Sequence, residues 1–385
     1  MYWKKWRTDK MDINRIVMFA MAFGAVIGGL DYIFGNHFGF GAKFEEGFKC
    51  LGTTAFGMVG ILCIAPPFAN WAGPVVAPLF QAIGADPAMF GSILSIDMGG
   101  YPLSAALALD PRLGLFSGLV VSSMLGAAIV FIIPVGLGII EDGDREYFAK
   151  GLLIGLIPIP IGAFAGGLLM GLQAGTVLIN LIPCILIGAF MIFGIRFAQA
   201  QAIRLFLLFG KFIKIVTVLG LTGAAVEYMT GLVVIPGMPP IMDGMRTASG
   251  IAIMLMGSLP LMELIVRLLD RPFRAAGKKL GLDGVSVAGL IFCCVSVLPV
   301  FSSLKNMCPK GKVAVIAASV SLIGVFASHL GFTSQAVPSM LGTVLVSKLV
   351  SGLLAVAIVC VMIRETNGDE RNKTVPEYFP EGEHD

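Results

Sequence analysis

One aspartate stands inside an apolar run. Asp97 lies in Ser92–Ala105 (SILSIDMGGYPLSA), followed by Met98, Gly99 and Gly100, then Tyr101 and Pro102. An ionised carboxylate in hydrocarbon is costly and is kept where it faces a partner or a cavity. Gly-Gly and Pro loosen a helix and free backbone carbonyls at that depth. An acid beside a broken helix is what a site for a small cation requires. Asp97 is read as counter-ion of a cationic substrate or as a proton carrier; the bland reading is a structural acid bonded to a neighbouring helix. Gly99 and Gly100 supply the break.

His329, in Phe326–Phe332 (FASHLGF), is the second candidate. Imidazole titrates near neutral pH, so it can gate on proton binding or donate to a substrate hydroxyl. An interfacial histidine among headgroups is the alternative. Tyr101 and Phe332 each lie within four residues of a candidate polar group, where an aromatic face can hold an ammonium or simply pack. Glu45 and Glu46 precede an apolar run, as helix-start acids or as an acidic vestibule that concentrates cations. Glu263 is expected to pair with Arg267 one turn later. Lys348 is expected to snorkel or pair with an acid. Asn180 is a candidate interhelical donor, and Asp31 and Glu227 read as interfacial.

No nucleophile elbow, zinc-protease helix, phosphate loop or dinucleotide fingerprint occurs, so no enzyme is expected. The seven cysteines lie mostly inside apolar runs without paired spacing, as small packing residues; neither metal nor cofactor is expected.

The elements that must position these residues are helices in lipid. Of 385 residues, 57% are hydrophobic and 13% charged, with mean hydropathy +0.90; a soluble domain carries about 25% charged residues. The chain is therefore expected to be an all-α polytopic membrane protein. Apolar runs mark spans near 13–34, 48–70, 87–108, 113–140, 151–171, 176–198, 206–230, 247–269, 284–304, 312–334 and 338–363. The segments near 87–108 and 284–304 are short, carry a proline near their ends, and read as broken or re-entrant. The first span is read as retained, after a basic cytoplasmic segment at 1–12, and the acidic tail 364–385 as disordered.

Sliding the chain by 197 positions aligns its punctuation. Glu46-Gly47 meets Asp243-Gly244, Gly60 meets Gly257, Gly84 and Asp86 meet Gly281 and Asp283, and Pro102 meets Pro299. An internal duplication is expected, with repeats at 13–171 and 206–363 joined by a linking span at 176–198. Asp97 meets Cys294, so the break is shared by the copies and the charge is not. Eleven full spans would make the halves parallel and put the basic residues of 4–15 and 267–279 on one side, though Lys305, Lys310 and Lys312 would then fall opposite. Re-entrant segments would make the halves inverted.

The motifs in order are FEEGF (Phe44–Phe48), MVG…AP (Met58–Pro66), DMGG (Asp97–Gly100), IVFIIPVGLGIIE (Ile129–Glu141), IPIGAFAGGL (Ile159–Leu168) and SHLGF (Ser328–Phe332). This pattern, over about residues 12–363, resembles the EutH family of ethanolamine permeases. The resemblance implies a bacterial inner-membrane facilitator of ethanolamine uptake. The chain departs from the family pattern at Ser328, where members often carry an acid, and at Val295-Ser296-Val297-Leu298-Pro299, where a polar Asn-Asn-Ile-Pro run is usual. Other readings are an ion-coupled carrier of another small organic cation or amino alcohol, and a non-transporting scaffold or sensor. The expected partners are the small-molecule substrate and the lipid bilayer, without nucleic acid; a homo-oligomer is compatible with the chain.

Overall fold

Backbone N–H and C=O groups at membrane depth find no water, so an apolar chain satisfies them within helices. A computed structural model describes residues 13–94 and 100–363, which contain helices and no strand. Asp97, Gly99, the segment 1–12 and the tail 364–385 lie outside the described residues.

The chain starts with α1 (Ile13–Ile33) and α2 (Phe40–Ala82), then a 3-10 turn at Pro87–Phe90 and α3 (Gly100–Leu107). α4 (Pro111–Leu115) runs through π-helical stretches, Phe116–Gly126 and Ala128–Ile132, into α5 (Ile133–Ile139). α6 (Arg145–Leu156), α7 (Ile159–Leu169), α8 (Ala174–Phe197), α9 (Gln199–Thr230) and α10 (Ile241–Leu280) follow. The last third holds α11 (Gly284–Phe292), α12 (Leu298–Ser302), α13 (Pro309–Leu322), α14 (Ser328–Ala336) and α15 (Leu341–Met362).

Eight stretches of the described residues are long and apolar enough to cross a bilayer: 14–33, 40–82, 111–139, 142–169, 174–197, 204–230, 241–269 and 338–362. The chain is thus the expected all-α polytopic membrane protein. α13 and α14 form a further, discontinuous crossing. The uninterrupted span expected at 312–334 breaks at 323–327, where Gly324 takes φ 62°, a conformation that costs a residue with Cβ.

The segments at 87–108 and 284–304 are broken, and each returns to the side it left. The Asp86 carboxylate accepts hydrogen bonds from Ala88 N at 2.8 Å, Leu109 N at 3.1 Å and Asp110 N at 3.0 Å. One side chain therefore ties the start of the excursion to its end. Asp283, 197 positions on, does the same for the second hairpin, accepting from Ser286 N at 2.7 Å and from Cys308 N. Asn180 was a candidate interhelical donor. It instead accepts from Asp86 N at 2.8 Å and donates within α8, to Thr176 O at 2.9 Å.

The hairpin at 87–108 adds no net crossing, so four crossings (111–139, 142–169, 174–197 and 204–230) lie between α2 and α10, and these two helices run antiparallel. That direction is the one inverted halves require, and parallel halves would not give it. Their contacts are reciprocal. A Cβ on Gly47 would lie 2.6 Å from Met256 N, and one on Gly244 would lie 2.8 Å from Val59 Cγ1; the separations 244 − 47 and 256 − 59 are both 197. A Cβ on Gly60 would overlap the Thr217 carbonyl oxygen of α9, and one on Gly257 the Met21 carbonyl oxygen of α1. Each half thus lends its first helix to the long helix of the other. Small residues at such crossings let backbones meet where lipid gives no hydrophobic drive.

The inversion also moves the charges. Asn14 accepts from Gly342 N at one end of the bundle. Phe38 O accepts from Arg267 Nη1 at 2.7 Å at the other end, where Lys305 reaches Glu141 at 2.9 Å and Lys312 reaches Asp144. The start of the described chain and the 267–280 stretch are therefore at opposite ends, contrary to the eleven-span arrangement. Lys305, Lys310 and Lys312 join Arg267–Lys279 at one end. The expected Glu263–Arg267 pair is present at 2.8 Å. Asp31, read as interfacial, is buried and accepts from Phe38 N at 3.0 Å and Gly41 N at 2.9 Å, pinning the α1–α2 turn.

α2 continues to Ala82 instead of closing near 70. Its 43 residues, with Pro66, Pro67, Pro74 and Pro78 inside, measure about 64 Å at ~1.5 Å per residue. Prolines persist in membrane helices because neighbours re-satisfy the freed carbonyls. Gly257→Val should separate α1 from α10. Overpacking typically costs about 1–3 kcal/mol, and here the obstacle is backbone. Detergent-solubilised protein should show a clear fall in melting temperature, whereas Gly52→Ala, at a glycine with open space around it, should melt as wild type.

Candidate functional site

The broken elements meet inside the bundle. Ser117, in the first π-helical stretch, donates to Ala88 O at 2.6 Å and pairs with Ser104 Oγ at 3.0 Å, which holds the first hairpin on that stretch. Phe326, in the α13–α14 break, donates its N–H to Cys294 O at the turn of the second hairpin, 3.0 Å away. α14 thereby stands among both hairpins and α15.

α14 carries the site residues on one face. Phe332 is 1% exposed and packs edge to face on Tyr101, with centroids 6.2 Å apart and planes at 74°. Gly100, the first residue of α3, is buried, and Tyr101 is half-buried. His329, one turn before Phe332, is also 1% exposed. It is not an interfacial histidine. Its Nδ1 lies 2.8 Å from the Lys348 Nζ of α15, and Lys348 Nζ donates to Ser123 O at 2.6 Å. With Lys348 as ammonium, Nδ1 accepts and the neutral ring carries its proton on Nε2.

Lys348, expected to snorkel or to pair with an acid, was not placed among the candidate site residues. It does not snorkel: its side chain is fully buried, and its partners include a carbonyl and an imidazole. The signal was position, ten residues into the 25-residue stretch 338–362, too deep for a side chain to reach headgroups. Ser123 belongs to the π-helical run, a geometry that appears mostly at functional sites. α15 is held in place by α7. A Cβ on Gly162 would overlap Ser347 O, and one on Gly166 would overlap Ser347 Oγ. Ser351 Oγ meets Ser321 Oγ of α13 at 2.6 Å.

The structure thus brings together Gly100, Tyr101, His329, Phe332 and Lys348. Glu45 and Glu46 are elsewhere, in the second turn of α2. They are not first-turn acids, and they pair along their own helix, Glu45 with Lys49 and Glu46 with Lys43, each at 2.8 Å. Asp97 and Gly99 precede Gly100 in the chain and lie outside the described residues.

The arrangement gathers an imidazole, an amine and two aromatic rings inside a lipid-embedded protein. Comparison with known proteins identifies its lineage. The family model described as "Ethanolamine utilisation protein, EutH" matches residues 13–362. The chain belongs to the EutH family. The "Probable ethanolamine permease EutH" of Listeria monocytogenes is 42% identical over 349 residues, covering 90% of this chain and 94% of the relative. The "Uncharacterized protein YxeR" of Bacillus subtilis is 44% identical over 348 residues, with the same coverage. The "Probable ethanolamine permease EutH" of Escherichia coli is 35% identical over 392 residues, covering 92% and 96%. No solved structure matches. The EutH match spans both hairpins and all eight stretches long enough to cross a bilayer.

Phe332→Ala would open a cavity under Tyr101. Burial of this ring predicts a loss of about 3–5 kcal/mol. Thermal unfolding in detergent should show it, while Phe332→Leu should recover most of the loss.

Proposed function

We propose that this chain is a transporter, not an enzyme, and that it carries ethanolamine across the bacterial inner membrane by facilitated diffusion. The observation that carries the reading is the run of relatives named probable ethanolamine permeases, 42% and 35% identical over nine-tenths of the chain. The site chemistry supports it. Ethanolamine is a primary ammonium with a hydroxyl group at neutral pH. A carboxylate at Asp97 would neutralise the ammonium, the imidazole of His329 would bond the hydroxyl, and Tyr101 and Phe332 would wall the site. Gly99 and Gly100 would let the backbone approach. Glu45 and Glu46 would at most draw cations to the surface, because both are engaged in local ion pairs. The two-repeat division at 13–171 and 206–363, with 176–198 between, is part of the same proposal; reciprocal glycine contacts across α2 and α10 support it.

We further read the basic end of the bundle as cytoplasmic. Arg267, Arg271, Arg274, Lys278, Lys279, Lys305, Lys310 and Lys312 cluster there, and Lys and Arg excess marks the cytoplasmic side. The start of α1, with Arg15, is then outside, opposite to the cytoplasmic side expected from the basic segment at 1–12, and the end of α15 is inside.

Two experiments test these readings. Asp97→Asn should abolish saturable uptake of radiolabelled ethanolamine in proteoliposomes while the protein still elutes as a folded species; wild-type uptake by that variant would remove Asp97 from the site. For orientation, single cysteines at Gly237 and Lys279 in a cysteine-free background should label oppositely with a membrane-impermeant maleimide in whole cells. Gly237 should react and Lys279 should not.

A further inference from the structure

A crevice lies at the basic end of the bundle, where α5 and α6 meet α8 and α9. Leu137 of α5, Phe148 and Leu152 of α6, Ile195 of α8 and Phe206 of α9 line it. Arg145, at the start of α6, is the charged residue of its lining. Two close approaches fix the walls. A Cβ on Gly210 of α9 would lie 3.4 Å from Pro134 Cγ of α5. One on Gly194 of α8 would lie 3.3 Å from Ala202 Cβ of α9. Arg196 and Arg204 each come two residues after the positions that meet there.

The two sides of the crevice differ in charge. On the α6 side each acid has a cation: Glu141 with Lys305, Asp142 with Arg145, Asp144 with Lys312 and Glu146 with Lys150. On the α8–α9 side, residues 151–226 contain no acid, and their cations are Arg196, Arg204, Lys211 and Lys214. All four are exposed, and none forms an ion pair among the described residues. Arg196 lies over the Phe197 ring, 5.5 Å from its centroid. Phe193, Phe197, Leu205, Leu208 and Phe212 are exposed on the same hairpin. Cations among exposed aromatic and aliphatic side chains belong at the level of lipid headgroups. Lys211 and Lys214 lie about 10 and 15 Å further along α9 than Arg204, at ~1.5 Å per residue. Their long stems bring the ammonium groups back towards the same layer.

The geometry points to a binding site for one anionic phospholipid: an acyl chain lies along Leu137, Leu152, Ile195 and Phe206, and Arg145, Arg196 and Arg204 hold its phosphate diester at the mouth. Arginine suits this role, because its planar fork meets phosphate oxygens in pairs. Arg145 gives Asp142 one Nη2 contact at 2.8 Å and keeps other N–H donors for a ligand. Uncompensated cations between membrane helices attract a headgroup with net negative charge. A zwitterionic headgroup brings a cation of its own to the same cluster and gains less. Membrane orientation by itself needs only an excess of Lys and Arg at one end; it needs no apolar crevice beneath them. The inference does not depend on the transport reading, and no uptake measurement enters its test.

The test uses purified, delipidated full-length protein in an uncharged detergent, read by native mass spectrometry and by melting temperature. The probes are phosphatidylglycerol, phosphatidylcholine with the same acyl chains, and inorganic phosphate. One phosphatidylglycerol should stay bound per chain and raise the melting temperature. Phosphatidylcholine lacks the net charge and inorganic phosphate lacks the acyl chain, so neither should do so. The triple variant Arg145→Gln, Arg196→Gln, Arg204→Gln should melt as wild type without lipid. It should bind phosphatidylglycerol more than about tenfold more weakly, at about fivefold per basic residue facing an anionic lipid. Arg271→Gln, Lys278→Gln, Lys279→Gln removes as much charge from the same end and should leave binding unchanged. Ala149→Phe, which fills the crevice and spares the cations, should weaken binding as well. Equal retention of phosphatidylcholine would overturn the anionic site. Equal losses in the two triple variants would replace it with a diffuse positive surface. A melting shift with inorganic phosphate matching that with phosphatidylglycerol would overturn the lipid as occupant.

Discussion

The fold depends on satisfying exposed backbone where lipid offers no partner. Helices solve this along their length but not at a break. Asp86 and Asp283 close the two hairpins by accepting the N–H groups at both ends of each excursion. Around these carboxylates the rest of the topology follows. Each hairpin returns to its own side, four crossings lie between the long helices, and α2 and α10 therefore run antiparallel.

Inversion in turn builds the centre. α2 and α10 run antiparallel and meet through Gly47 and Gly244, with α9 and α1 exchanged between the halves at Gly60 and Gly257. The broken segments then point inward from opposite faces. Irregular backbone at this depth is tolerated where protein surrounds it or a cavity lies beside it. The Phe326–Cys294 and Ser117–Ala88 bonds show the first solution. The His329–Lys348–Ser123 contacts place two titratable side chains within the same region. A carrier needs such a place, because the groups that bind its cargo must be reached by rearranging a few interhelical contacts.

The two halves are alike in scaffold and unlike in chemistry. The aspartate that closes each hairpin is duplicated, while His329 and Lys348 have apolar counterparts at Ile132 and Gly151, 197 positions earlier. Symmetry therefore supplies the frame, and asymmetric substitutions supply the polar groups. This division explains why glycine, proline and boundary acids carry the internal repeat, and why the candidate site does not repeat.

Much of this was legible in residue types. Composition and run length alone dictate helices in a bilayer, and a proline near the end of each short run marks the breaks near 87–108 and 284–304, with Gly-Gly beside it only in the first. The Glu263–Arg267 pair follows from helical spacing. What sequence could not decide was parity. An apolar run of about 20 residues reads the same whether it crosses or returns, since hydropathy has no direction, and only the hydrogen bonds at Asp86 and Asp283 distinguish the cases. The same limit hid the surroundings of Lys348: its burial depends on α7, α13 and α14 packing around α15, and its partners Ser123 and His329 lie 225 and 19 residues away. The sequence by itself determined the helical, membrane-spanning class and drew attention to Tyr101, His329 and Phe332. Tertiary structure decided which candidates meet and which way each half faces, because both are relations between segments that no local pattern encodes.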